Sequence, residues 1–170
     1  MWRPGFEFLE QSTARLDDYH RAPCIYSHHH RGTSAVPGLV LGLDSGGFCD
    51  GIAFRININI RNEVIEYLHE RELIGYAYKP IILDINIGNS VAPAYTFVAD
   101  PEHGQYAGDL GLDRSAEMIM KAQGVSGLNR DYLMSTVQKL ESEGFAEPAL
   151  LKLRQRVREL TGAIDQGGGI

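Results

Sequence analysis

Apolar positions along this chain recur with two different periods, and the change of period marks its elements. Val64, Ile65 and Leu68 share one face at helical spacing. Glu72 lies one turn beyond Leu68 and two beyond Val64, so it belongs to that face, whereas Glu63, Glu66 and Glu70 point elsewhere. Gly75 ends the helix, and Asn57 or Asn59 can cap its start. Period two governs residues 48–55, with Ile52 and Phe54 on one face and Gly51, Ala53 and Arg55 on the other. Small residues at Gly51 and Ala53 leave room for a ligand or another backbone, or simply for core packing.

The remaining elements follow from the same rules. Residues 22–27 predict a strand, with residues 16–19 before it as a short polar connection. Residues 39–43 and 48–55 predict a hairpin across Asp44-Ser45-Gly46-Gly47. Residues 76–85 and 91–98 predict another around Asn86-Ile87-Gly88-Asn89, with Pro80 and Pro93 at exposed edges or irregular ends. Helices are expected over 115–123, over 129–143, and from Pro148 onward. Strands, one embedded helix and then helices read as α+β rather than alternating βαβ units.

Composition narrows the function classes. The 170 residues carry a net charge of -6 without a long basic run, which argues against nucleic acid or an anionic membrane as partner. No apolar run reaches membrane-spanning length, and residues 1–5 lack the core of a signal peptide. Cys24 and Cys49 have no CxxC spacing and read as reduced thiols, so a cytoplasmic protein is expected.

The candidate chemistry is sparse. His28, His29 and His30 are consecutive, so on a strand they point to opposite faces, and no HExxH accompanies them. No metal is expected there, and His30 reads as a hydrogen-bonding residue. Gly124-Val125-Ser126-Gly127 lacks the lysine of a phosphate loop and reads as a helix-connecting turn, and there is no GxSxG. Glu72 is the remaining candidate. Burial on the inward face disfavours its charged form and suits a general base or acid. On pattern alone the competing reading is preferred: a helix-end carboxylate turned to water or paired with Arg71.

Several blocks, in order, resemble the ChaC-type glutathione-specific γ-glutamylcyclotransferases. They are Ser27-His28-His29-His30-Arg31-Gly32 with 37–43, Cys49-Asp50-Gly51-Ile52-Ala53-Phe54-Arg55, and Tyr67-Leu68-His69-Glu70-Arg71-Glu72; Tyr106-Ala107-Gly108 and 124–133 follow. The resemblance runs from Trp2 to about Leu153. It implies a small mixed β-barrel with surrounding helices and a helical C-terminal part. It also implies cyclisation of glutathione to 5-oxoproline and Cys-Gly, with Glu72 as catalytic acid–base and neither metal nor organic cofactor. Trp2, Ser27, Arg31, Arg55 and Tyr106 are the expected substrate-binding residues. The two arginines are chosen because glutathione is anionic and the protein acidic; the alternative ties each to a nearby Asp or a turn carbonyl.

Residues 1–163 are expected to form this domain, with 164–170 a flexible tail. Two further readings stay open: an inactive γ-glutamyl-binding copy, or a cyclotransferase for another γ-glutamyl compound. The family resembled begins with a strand and a Tyr-Gly-Ser-Leu loop ahead of the tryptophan matched by Trp2, and these residues do not include it. An internal methionine of a longer protein is the favoured explanation. A chain carrying that strand and loop ahead of Met1 is expected to melt higher and turn over more glutathione. Equal melting midpoints and equal turnover would show that the segment is dispensable.

Overall fold

In a computed structural model the protein is described over residues 4–73, 75 and 77–167, with side chains to 162. The chain forms two compact units, Met1–Arg21 with Leu43–Asp100, and Ala22–Gly42 with Pro101–Ile170. Two long strands contribute to both units: β1 (Glu10–Ser27) and β2 (Gly38–Arg55). With β3 (Tyr78–Ile87) and β4 (Ser90–Ala99) they make a four-stranded sheet in the order β2-β1-β3-β4. The fold is mixed α+β, and its sheet does not close into the barrel that the resemblance implied. Closure needs the first and last strands to bond each other, and here β2 and β4 end the order.

Two sequence expectations fail in the first unit. Residues 16–19 are not a connection but the middle of β1. Ala14 and Leu16 are buried between exposed Thr13, Arg15 and Asp17, which is strand alternation carried by few apolar residues. Likewise, 39–43 and 48–55 are one strand, without a hairpin. Gly46 and Gly47 take φ of 94° and 69°, which only glycine adopts readily. They deform the strand without reversing it, and His20 Nδ1 lies 2.9 Å from the Gly46 carbonyl oxygen.

The other hairpin forms as expected. β3 and β4 are antiparallel from Tyr78↔Ala99 to Ile87↔Ser90, leaving Gly88 and Asn89 as the turn. Pro93 lies on the edge strand, where its missing N–H costs no ladder bond. Ala14, Leu16, Cys49 and Ile85 form one core cluster of this unit. Asn57 caps a 3-10 turn, Ile58–Ile60, by accepting from Asn59 N–H. Helix α1 (Arg61–Glu72) follows directly, without a side-chain cap of its own.

The second unit packs helices on the start of β2. Helices α2 (Leu112–Lys121), α3 (Asn129–Ser142) and α4 (Pro148–Gly167) join Leu39 in one core, including Ile119, Leu133, Val137, Leu150 and Val157. Strands β5 (Gln123–Gly124) and β6 (Gly127–Leu128) connect α2 to α3. Backbone of α4 is helical through Gly167, where a tail was expected from 164. Cys24 and Cys49 are both buried thiols. Among the described residues no helix is long and apolar enough to cross a membrane.

One exposed ion pair braces the first unit. Arg15 Nε and Nη2 donate to Asp50 Oδ1 and Oδ2 at 2.7 and 2.8 Å, and the guanidinium lies 4.1 Å over the Phe48 ring. Arg15's hydrogen bond, aided by the charges of Arg15 and Arg21 and opposed by desolvation, holds the Asp50 carboxyl below its usual value. A lowered folded-state value stabilises the protein above the unfolded carboxyl pKa of about 3.9 and is lost as pH falls through the folded value. Solvent screens such an exposed pair, so its contribution is small. Asp50→Asn should therefore lower the thermal midpoint by no more than about 2–4 °C at neutral pH, with the offset shrinking below about pH 4. An offset unchanged in acid would exclude this ionisation as its cause.

Candidate active site

Glu72 closes α1. Val64 is the helix's buried residue, Leu68 is half-buried one turn on, and Glu72 follows on the same face. Its side chain is 24% exposed, so it is neither sealed in the core nor free in water. Arg71 Nε stands 3.4 Å from Glu72 Oε1, which is the ion pair that the competing sequence reading anticipated. Arg71 also donates from Nη1 to the Tyr67 hydroxyl at 2.9 Å. Tyr67 in turn meets Phe6 edge-on, with ring centroids 6.3 Å apart. Glu70 is exposed on the other side. A cavity of about 590 Å³ lies along the first half of α1, lined by Gly5, Phe6, Glu7, Ile60, Glu63, Val64 and Tyr67. Arg71 thus links its wall to Glu72.

Two side chains beside Glu72 escaped the sequence reading. His69, three residues before it, shares a hydrogen bond between Nε2 and the Tyr95 hydroxyl on β4. The His69 ring also meets Phe97 edge-on at 6.3 Å, and Tyr95 and Phe97 pack edge to face at 5.5 Å. Burial pushes the Tyr95 hydroxyl above its usual pKa. The signal was present: 69 and 72 share a helix face, and 95 and 97 share a strand face.

The expected substrate-binding residues fall into both units. In the first, Arg55 pairs with Glu10 Oε2 at 3.0 Å, with both side chains more than half exposed. In the second, Ser27 is 1% exposed, and its Oγ accepts from Arg31 N–H at 3.0 Å. The Arg31 Nη1 donates to the carbonyls of Ser126 (2.5 Å) and Leu128 (3.4 Å), and its guanidinium lies over Tyr132. Arg31 therefore has the turn-carbonyl role left open by the sequence. Tyr106 is half-buried, bridges Ile25 of β1 through its backbone, and follows Gln105, whose carbonyl accepts from Tyr26 N–H. Trp2 lies outside the described residues.

The histidine run is a structural loop. His29 and His30 carbonyls accept from Val125 and Ser126 N–H at 2.9 Å each, and His30 Nδ1 lies 3.1 Å from Ser126 Oγ. A Cβ on Gly124 would come within 2.3 Å of the His29 carbonyl oxygen, so only glycine fits that crossing. Among the described residues no three His, Cys, Asp or Glu side chains group as metal ligands.

Comparison with known proteins places this geometry. A family model described as ChaC-like protein matches residues 1–160. The glutathione-specific gamma-glutamylcyclotransferase of Escherichia coli is 35% identical over 162 residues, covering 94% of this chain and 70% of that protein. Gamma-glutamylcyclotransferase 2-3 of Arabidopsis thaliana is 29% identical over 169 residues, covering 94% and 85%. The fold resembles the crystal structure of a yeast gamma-glutamylcyclotransferase specific to glutathione. The TM-score is 0.77 at 19% identity, covering 90% of this chain and 91% of that one.

The two arginines should separate in a melting experiment. Arg31→Met removes a charge-assisted bond to the Ser126 carbonyl, worth about 1.5–3 kcal/mol, and should lower the midpoint by several degrees. Arg55→Met removes an exposed pair worth less than about 1 kcal/mol and should barely move it. The reverse order would contradict the structural role given to Arg31.

Proposed function

The chain belongs to the ChaC-like family, and we propose that it cleaves glutathione to 5-oxoproline and Cys-Gly with Glu72 as acid–base. The observation that carries the residue assignment is the position of Glu72. It is a half-buried carboxylate on the inward face of α1, oriented by Arg71, inside the span of the family match.

The chemistry needs one proton carrier. The α-amine and the γ-carbonyl of glutathione belong to one molecule, so a five-membered ring forms once the substrate is folded correctly. Such preorganised intramolecular reactions reach effective concentrations of about 10⁵–10⁸ M. Glu72 accepts a proton from the α-amine as the nitrogen bonds to the carbon of the γ-carbonyl. The tetrahedral centre then expels the cysteinyl nitrogen, to which Glu72 returns a proton. One C–N bond forms, one breaks, and no water is consumed. We assign Arg55 to a substrate carboxylate, because its exposed pair with Glu10 exchanges readily for another anion. Two buried thiols suit a reducing cytoplasm, which is where we place the protein.

Glu72→Gln keeps size and hydrogen bonding but carries no proton. Production of 5-oxoproline should fall by roughly 10²–10⁴-fold, the usual contribution of a positioned acid–base group. Glutathione affinity should change little, whereas Arg55→Met should weaken it. Glu70→Gln, on the exposed side, is the control. Turnover by Glu72→Gln at the parent rate would refute the assignment, and unchanged affinity in Arg55→Met would remove Arg55 from the site.

A further inference from the structure

We propose that His69 and Tyr95 are positioning residues for Glu72, and that their shared hydrogen bond fixes the last turn of α1 against β4. This rests on Glu72 being the acid–base. Glu72 occupies the final residue of α1, a place where helices fray and side-chain direction is poorly defined. The backbone bond that closes this turn runs from Leu73 N–H to the His69 carbonyl at 3.0 Å. His69 is therefore the residue on which the turn carrying Glu72 hangs.

The same residue is held by its side chain. His69 Nε2 and the Tyr95 hydroxyl share a hydrogen bond, and the two rings are 6.1 Å apart. Phe97 meets the imidazole edge-on, and it also packs against Tyr95, so two rings of one strand face grip a single helix residue. A hydrogen bond adds direction that ring packing alone lacks. With both the carbonyl and the ring of His69 fixed, the Cα–Cβ direction of Glu72 is fixed too. Misplacing a reacting group by about 1 Å can cost 10²-fold in rate, so a loosened turn should appear in kcat.

Tyr95→Phe removes the hydroxyl and keeps the ring; His69→Phe removes its partner nitrogen and keeps an aromatic. These two, their double variant and Glu72→Gln would be compared for kcat, KM and melting midpoint with glutathione as substrate. Each single substitution should lower kcat roughly tenfold with KM within about twofold, consistent with a modest misplacement. The double variant should lose no more than the worse single, because both remove one interaction. The proposal is overturned by parent-like kcat in Tyr95→Phe, by losses that multiply in the double variant, or by losses that only follow the folded fraction. Parent-like Tyr95→Phe beside inactive Glu72→Gln refutes the positioning alone. An active Glu72→Gln refutes it together with the acid–base assignment.

Discussion

Buried backbone groups must find partners, and at Leu39 that requirement organises the helical unit. The Asn129 amide, fully buried, accepts from Leu39 N–H at 2.7 Å and donates to the Leu39 carbonyl at 2.8 Å. It supplies both bonds that a neighbouring strand would have made. Leaving either group unpaired would cost about 1–3 kcal/mol, so the first residue of α3 is tied to the second residue of β2. Tyr132, one turn further on, accepts from Leu41 N–H at 3.2 Å. With α3 held there, Leu39 becomes part of the wall against which α2, α3 and α4 close their core.

The other unit solves a different problem. Beside its apolar core, it is braced by polar and aromatic contacts nearer the surface. Arg15 with Asp50 spans β1 and β2, while His69 with Tyr95 and Phe97 spans α1 and β4. A half-wet helix end is a poor place for packing, and Glu72 there is 24% exposed. Functional groups held this way depend on hydrogen-bond direction more than on buried area.

The two arginines illustrate how a sequence block can mislead about chemistry. Arg31 sits in the histidine-rich block that helps carry the family resemblance, yet its guanidinium is engaged by turn carbonyls and by Tyr132. Ser27 beside it is buried and bonded to the Arg31 backbone. That part of the block builds a loop crossing over Gly124. A residue type suited to binding an anion is equally suited to binding carbonyls, and only the surroundings distinguish the two.

Much was legible from order and period alone. The α+β class, the β3–β4 hairpin, three of the helices within a few residues, and the inward placement of Glu72 all follow from local spacing, because each depends on neighbours within about a turn or a hairpin. What misled was equally local. A Gly-Gly pair reads as a reversal, but Gly46 and Gly47 only deform β2, since β1 continues beside it in the sheet. Residues 16–19 read as a connection, although Leu16 and Ala14 alternate into the core. Whether the sheet closes, which carbonyls Arg31 meets, and that Tyr95 reaches His69 were decided by the tertiary structure. Those contacts join residues 26 and 95 or more positions apart, and no local pattern encodes a partner at that distance.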